Sequence, residues 1–224
     1  MSNTELSSST DTQTRLLDAA EALIAMHGVS GTSLREITEK AGVNLALVKY
    51  HFGSKEGLLE SVLKRRLEPI NAHRIRLLDE VERKHAGGKL PIEDVLTALI
   101  QPAVEIGLSG KSGSQFLKLF GRVFSEPASC MQLVRTQMGP MIKRFDAAFD
   151  KALPGMSGMD MAWRKMACLG VVQHSLLTLS MMDELPLHLR LPIKLLKGAL
   201  RPDKVLAQLV AFCAAGIRAQ VPES

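Results

Sequence analysis

Hydrophobic residues along the chain recur at intervals of three and four, the spacing that places them on one face of an α-helix. The first row of this kind is formed by Leu16, Leu17, Ala20, Leu23 and Ile24. Similar rows continue toward the end of the chain, and no stretch alternates apolar and polar residues as a half-buried strand would. The pattern therefore predicts an all-α protein.

Capping residues and glycines divide the first part of the chain into three helices. Ser33 with Glu36 fits a capping box, in which each side chain satisfies a backbone N–H of the other residue at the helix start. Asn44 is a favourable N-cap for the next helix, which is predicted to run through His51. Glycines interrupt the pattern between the elements, at Gly28, Gly42 and Gly53.

The remainder of the chain predicts a helical bundle. A long helix is expected from Lys55 to about Lys84, with a kink at Pro69. Glycines and prolines separate the later rows. Those rows predict helices over about 91–108, 113–125, 128–152, 160–183 and 203–219.

These elements divide the chain into three parts. Residues 1–11 are rich in Ser and Thr and lack the basic start and apolar run of a signal peptide, so we expect a disordered arm. Residues 12–56 hold the three short helices. Residues 57–224 form the larger bundle, and the helix from about residue 55 connects the two.

Two short helices joined by a glycine turn, with a third helix bracing them, are typical of a helix-turn-helix that binds DNA. In that motif the second helix enters the major groove. The span between Lys40 and Lys55 contains no carboxylate, which suits a polyanionic partner. Donors for DNA phosphates are offered by Ser33, Tyr50, His51 and Lys55.

The run AGVNLALVKYHFGSKEGLL, within about residues 12–62, resembles the TetR (tetracycline-repressor-like) family. The resemblance implies an all-helical homodimer that represses transcription by placing two such heads on a palindromic operator. It assigns contacts with phosphates to the four donors above. It implies contacts with bases for Arg35, Leu45, Ala46, Leu47 and Lys49, and it counts the N-cap Asn44 among the DNA-binding residues.

The predicted reading helix departs from the family pattern at three positions. Many members carry Tyr at the place of Lys49 and polar residues at the places of Leu45 or Leu47. We therefore expect apolar contacts with thymine methyl groups and a contact between Lys49 and guanine. The departure affects the operator sequence rather than DNA binding itself.

Aromatic and methionine side chains are concentrated in the predicted bundle. Methionine adapts to irregular space, so these residues suit a cavity for a small apolar ligand, with plain core packing as the alternative. The run FLKLFGRVFSEP resembles fatty-acid-responsive members of the family, which implies a fatty acid or acyl-CoA as effector. The candidate ligand-binding residues are Phe116, Phe120, Arg122, Phe124, Met138, Trp163 and His174.

Dimerisation is expected through the last two long helices, in the four-helix arrangement that the family resemblance implies. Small residues near the chain end would let two helices approach closely. The candidate residues of the dimer interface are Leu176, Leu177, Ser180, Leu206, Leu209, Val210, Cys213 and Gly216.

Composition and charge change this picture little. The net charge is +5, but residues 1–85 hold equal numbers of basic and acidic side chains, so only local patterning argues for DNA. Three widely spaced cysteines predict reduced thiols in a cytoplasmic protein without a metal site. The longest uncharged run, 167–182, contains His174 and several hydroxyl side chains, so we expect a buried helix and no membrane contact.

Two other classes of protein are alternatives to a regulator. A di-iron enzyme would need two Glu-x-x-His motifs, and the chain has only Glu82-x-x-His85, beside a predicted loop. A helical scaffold for protein partners would bind no DNA. We therefore predict that the chain is not an enzyme and uses no catalytic residue, cofactor or metal.

Overall fold

The computed structural model describes residues 3–123, 126, 128–181 and 201–219, and within these ranges all regular structure is helical. The all-α prediction is therefore confirmed. The helices are α1 (Asn3–His27), α2 (Leu34–Ala41), α3 (Leu45–Phe52), α4 (Lys55–Lys84), α5 (Ile92–Gly107), α6 (Lys111–Val123), α7 (Ala128–Ala152), α8 (Gly158–Met181) and α9 (Pro202–Arg218).

The largest difference from the expected boundaries is at the start of the chain. Helix α1 begins at Asn3, so the stretch expected to be a disordered arm is helical from that residue onward. No glycine or proline precedes Gly28, and each residue added to an existing helix gains one backbone hydrogen bond. The apolar row that begins at Leu16 therefore provides a nucleus from which the helix extends toward the N-terminus.

The chain divides into two compact units. Unit 1 comprises Met1–Pro69 and Gln115–Met138, and unit 2 comprises Ile70–Ser114 and Gly139–Ser224. Helix α4 continues through Pro69, where the division falls. The boundaries predicted from the sequence, 12–56 and 57–224, remain a prediction beside this division.

Unit 1 has a core built on α1 and the first half of α4. Leu16 and Ile24 of α1 are buried with Ile37 of α2 and Val48 of α3, so one side chain or more from each short helix is anchored. Leu58, Leu59, Val62 and Leu63 of α4 are buried in the same unit. The short helices are thus held by apolar burial, because helices of this length are marginal in isolation.

Unit 2 has a core shared by the helices that follow. Helix α9 packs against α5 and α8, and α5 also contacts α8. Arg218 of α9 forms an ion pair with Glu93 of α5, with Nη2 donating to Oε2 at 2.7 Å. Buried apolar side chains from α5, α7, α8 and α9 contribute to this core, among them Leu96, Phe149, Leu176, Val210 and Ile217.

Candidate nucleic-acid interface

The turn between α2 and α3 is fixed by local caps. Ser33 and Glu36 form the expected capping box: the Ser33 N–H donates to Glu36 Oε2 at 2.7 Å, and the Glu36 N–H donates to Ser33 Oγ at 3.2 Å. Asn44 Oδ1 accepts from the Ala46 N–H at 2.8 Å. Gly42 has φ 64°, a left-handed conformation that glycine adopts without strain. The backbone of the motif therefore follows directly from its sequence.

Helix α3 presents two distinct faces. Val48 is 1% exposed and anchors the inner face, whereas Leu45 is 51% and Tyr50 is 76% exposed. Ala46 and Lys49 are also exposed, and Leu47 is half-buried. Leu45, Tyr50 and Lys49 together give the outer side of α3 apolar, hydroxyl and basic groups. Groups of this kind can contact base edges in a major groove. Of the residues predicted to face bases, Leu45, Ala46 and Lys49 are thus exposed on α3 and Arg35 is exposed on α2, whereas Leu47 is half-buried.

Three of the residues predicted to contact phosphates already have partners within unit 1. Lys55 Nζ donates to the backbone carbonyl of Val29 at 2.5 Å, and the Ser33 hydroxyl donates to Glu36 Oε2 at 2.7 Å. His51 Nδ1 lies 3.3 Å from Gln13 Nε2. These side chains position the motif, so their phosphate contacts remain a prediction.

Arg15 supports the same turn from α1, which the sequence analysis did not anticipate. Its guanidinium donates to the carbonyls of Ala41 and Gly42, the second at 3.0 Å. Carbonyls at the end of a helix lack intrahelical partners, so a donor there satisfies groups that would otherwise need water. The left-handed Gly42 was the available signal that such carbonyls would be presented.

A buried carboxylate joins α1 to α4 beneath the motif. Glu21 has a side chain 1% exposed, and it accepts from Arg65 Nη2 at 2.8 Å and from Arg66 Nη2 at 2.6 Å. Arg65 also donates to the exposed Asp18 at 2.7 Å. A buried carboxylate is tolerated only when it is paired, so this cluster fixes the spacing of the two helices that carry the motif.

Glu126 contacts the loop between α1 and α2 from far along the chain. Its Oε1 accepts from the Val29 N–H at 2.7 Å and the Ser30 N–H at 3.3 Å, and its Oε2 accepts from the Ser30 hydroxyl at 2.6 Å. These hydrogen bonds, with that from the Ser30 hydroxyl the strongest, lower the pKa of Glu126. We name this set of contacts the Glu126 clamp. Lys55 donates to the Val29 carbonyl, so the same loop is held by a second side chain.

The Glu126 clamp should depend on pH. The pKa of the Glu126 carboxyl is lowered in the folded protein, so the ionised carboxylate stabilises the fold. This contribution to the free energy of unfolding is fully present above the ordinary pKa of 4.5 and is lost as the pH falls through the lowered pKa. We expect Glu126→Ala to reduce the hydrogen-exchange protection of the Val29 and Ser30 amides by about tenfold near neutral pH. Glu39→Ala, on the exposed side of α2, is the control. Equal protection in the two variants would contradict the clamp.

The predicted ligand-binding residues are divided between the two units and differ in exposure. In unit 1, Phe116 is 5% exposed with its ring centroid 5.8 Å from that of Phe120, and Met138 is half-buried. Arg122 is exposed, and Phe124 lies outside the described residues. In unit 2, Trp163 is 62% exposed and His174 is exposed. The aromatic pair Phe116 and Phe120 has the apolar character expected of a ligand site, and the ligand role of the seven residues stays a prediction.

Half of the predicted dimer residues face the interior of unit 2. Leu176, Leu209, Val210 and Cys213 are buried within the protomer, and Leu177, Ser180 and Leu206 are half-buried. Cys213 Sγ lies 4.0 Å from the Cys168 carbonyl, at the contact between α9 and α8. Gly216 alone of the eight is exposed. Side chains already covered in the protomer offer little area to a partner.

The opposite faces of α8 and α9 carry exposed apolar residues instead. Trp163 is 62%, Met166 is 57%, Leu169 is 48% and Phe212 is 64% exposed. An added Cβ at Gly170 or Gly216 would meet no atom within 4 Å, so the protomer itself does not require glycine at either position. We call these residues the α8–α9 outer surface: Trp163, Met166, Leu169, Gly170, Phe212 and Gly216.

The two residues of the Glu-x-x-His motif, Glu82 and His85, both contact oppositely charged or polar side chains within unit 2. Glu82 accepts from Arg144 and Lys151, both at 3.0 Å, and His85 Nε2 lies 2.9 Å from Asp94 Oδ2. In the part of the chain that the structure describes, no three His, Cys, Asp or Glu side chains are grouped so as to hold a metal ion. None of the described helices has the length and hydropathy needed to cross a bilayer.

The arrangement of α1 to α3, with an anchored Val48 and an outward row on α3, defines a DNA-binding helix-turn-helix. Comparison with known families agrees with this class. Residues 16–62 match the model described as bacterial regulatory proteins, tetR family, and residues 97–216 match the tetracyclin repressor-like C-terminal domain. The chain belongs to the tetR family and is a DNA-binding transcriptional regulator.

Individual relatives and solved structures are consistent with the family. The regulator BetI of Paraburkholderia phymatum is 27% identical over 142 residues, which cover 62% of this chain and 68% of BetI. The chain spans about two-thirds of the length of the first curated relatives it matches. The fatty acid degradation regulator FadR of Bacillus halodurans has the same fold, with a TM-score of 0.64, 12% identity, and 93% and 97% of the two chains covered.

A second structure of the same fold was solved with a ligand. It is FadR of Bacillus subtilis in complex with stearoyl-CoA, with a TM-score of 0.60 and 15% identity. The match covers 91% of this chain and 98% of that protein. At this identity the likeness concerns the fold.

Proposed function

We propose that this chain is a homodimeric repressor that binds a palindromic operator and is released by a small apolar ligand of the fatty acyl type. The observation that carries the DNA-binding part is the outer side of α3, where Leu45, Lys49 and Tyr50 are exposed while Val48 anchors the helix. A short helix held this way can enter a major groove without unfolding the motif.

The homodimer is supported by the α8–α9 outer surface. Four large apolar side chains on these two helices are 48% to 64% exposed, and exposed apolar side chains grouped on packed helices are a feature of protein–protein interfaces. Exposed glycines with open space around them fit the close approach of a second backbone. We therefore move the proposed interface from the inner row predicted from the sequence to this surface. A second copy of the chain is its occupant.

A dimer is required by the geometry of the operator. Two heads related by a two-fold axis read half-sites about 34–36 Å apart, which is one turn of DNA. A ligand that favours a conformation with a different spacing releases DNA in proportion to its preference for that conformation. The Glu126 clamp supplies contacts between the turn after α6 and the loop before α2, so a displaced Glu126 would disturb the motif.

Selection of bound fragments from genomic DNA tests the function directly. We expect enrichment of a palindrome whose half-site centres lie one helical turn apart. Binding to it should weaken by about 10³–10⁵ between 50 and 200 mM salt if six to ten phosphates are contacted. A random duplex of the same length is the control. A chain that enriches no common sequence and binds no duplex at low salt would refute DNA recognition.

The acyl part of the proposal rests on the buried Phe116 and its ring contact with Phe120, together with the stearoyl-CoA found in the Bacillus subtilis FadR structure. We expect acyl-CoAs of increasing chain length to raise the melting temperature by several degrees at saturation, since a ligand that binds only the folded state stabilises it. Coenzyme A without an acyl chain is the control. No shift at any chain length would exclude this class of effector.

A further inference from the structure

Two of the three cysteines meet where α8 packs against α9 in unit 2. Cys168 Sγ donates to the Cys213 carbonyl at 3.7 Å, and Cys213 Sγ donates to the Cys168 carbonyl at 4.0 Å. Both residues are free thiols. Because each sulfur lies against the backbone of the other residue, the two thiols lie side by side between the helices.

The thiol pair lies within a regular antiparallel contact between the two helices. One helical turn to one side of the thiols, the Arg164 guanidinium donates to the carbonyl of Ile217. One turn to the other side, the same register sets Val172 of α8 opposite Leu209 of α9, and both side chains are buried. The contact is therefore fixed on both sides of the pair, so the packing of the helices keeps the two sulfurs together.

The two thiols differ in acidity and in exposure. A hydrogen bond between them raises the pKa of Cys168, to which burial adds, and lowers the pKa of Cys213. Cys213 is therefore the thiol that ionises more readily, and the thiolate is the form of cysteine that reacts. Cys213 is 1% exposed whereas Cys168 is half-buried, so a small molecule reaches the pair from the side of Cys168.

We propose that Cys168 and Cys213 are a modification site, at which hydrogen peroxide forms a disulfide bond within the chain. The Cys213 thiolate attacks one peroxide oxygen and breaks the O–O bond, which leaves a sulfenic acid and a hydroxide that takes up the thiol proton as water. The Cys168 sulfur then attacks the sulfenic sulfur, and the displaced hydroxyl leaves as water with the Cys168 proton. The two thiols lose two electrons, and the peroxide is reduced to two waters.

The disulfide would act on the α8–α9 outer surface, and this consequence rests on the proposed homodimer. Leu169 and Gly170 directly follow Cys168, and Phe212 directly precedes Cys213. An S–S bond is about 2.05 Å long, shorter than any non-bonded contact between two sulfurs, so α8 and α9 must shift to form it. The residues of the outer surface move with their helices. The disulfide therefore alters the fit of the second copy and weakens the dimer.

Treatment of the full chain with hydrogen peroxide tests the modification, with linked peptides identified by mass spectrometry without reduction. We expect one disulfide, between Cys168 and Cys213, in the unaltered protein and equally in Cys130→Ser, the control in unit 1. In Cys168→Ser the sulfenic acid at Cys213 should persist and be captured by dimedone. If both thiols stay free at a peroxide dose that oxidises Met159, which is 70% exposed, the proposal is overturned. Disulfides formed only between chains would overturn it equally.

Sedimentation equilibrium then tests the action of the disulfide on the dimer. We expect oxidation to raise the dissociation constant of the dimer about tenfold, and dithiothreitol to restore it. Peroxide-treated Cys213→Ser should keep its untreated value, which controls for oxidation of exposed methionines such as Met166. A disulfide that forms without changing the dissociation constant would refute this action. A reduced protein that stays monomeric would refute the proposed homodimer, whereas mass spectrometry would still decide whether the disulfide forms.

Discussion

Glu21→Ala should destabilise the protein by about 3 kcal/mol, the largest loss we expect from a single substitution in unit 1. The Glu21 carboxylate is 1% exposed and receives hydrogen bonds from two arginines of α4. Its removal leaves Arg66 without its acidic partner and leaves Arg65 with only the exposed Asp18, although the side chains of both arginines are less than one-third exposed, at 29% and 28%. The loss of stability comes from two partly buried cations that share too little negative charge, rather than from a lost side-chain volume.

The measurement is the midpoint of urea unfolding, and Asp18→Ala is the matched control. Asp18 binds the same Arg65 at 2.7 Å, but its side chain is 63% exposed, so solvent screens the pair. We expect that control to lose less than about 1 kcal/mol. Equal losses in the two variants would show that burial of Glu21 contributes nothing special to the contact between α1 and α4.

Trp163→Ala should weaken the proposed dimer by at least about 2 kcal/mol, which is about a 30-fold rise in its dissociation constant. Trp163 is 62% exposed in the protomer, so its truncation costs the protomer little while removing the largest side chain of the α8–α9 outer surface. The measurement is sedimentation equilibrium across a dilution series. Met26→Ala is the control, because Met26 is 65% exposed on α1, outside this surface.

Gly170→Leu gives the same surface a test of opposite sign. The protomer has open space at Gly170, and replacing a helical glycine stabilises a helix by up to about 1 kcal/mol. We therefore expect a higher melting temperature for the protomer and a weaker dimer, because the new side chain occupies the space of the partner's backbone. If both Trp163→Ala and Gly170→Leu dimerise as the unaltered protein does, the second copy binds elsewhere.

Capping residues and glycines close to one another in the sequence correctly predicted the helices and the turn of the helix-turn-helix. The capping box of Ser33 and Glu36, the N-cap Asn44 and the turn at Gly42 all act within a few residues, and each has the expected geometry. The N-terminal residues were expected to form a disordered arm, whereas α1 begins at Asn3. That expectation gave more weight to the Ser- and Thr-rich composition than to the absence of any helix-breaking residue before Gly28. Composition describes a tendency, whereas helix extension depends on the neighbouring turn.

The parts that sequence could not predict depend on contacts across the chain. Periodicity groups Leu209 with Val210 and Cys213, but α8 and α9 are apolar on two faces, so it does not say which face turns inward. The bonds of Glu126 to Ser30 join residues 96 apart, and no local pattern marks them.

The central claim is that the outer side of α3 reads base edges, and a competition assay on Lys49→Ala tests it most directly. The selected operator is competed against duplexes that change one base pair at a time. We predict that Lys49→Ala loses discrimination at a single position in each half-site, worth about 1–3 kcal/mol, while Lys40→Ala on α2 keeps the full pattern. A Lys49→Ala protein with unchanged preference at every position would contradict the placement of α3 in the major groove.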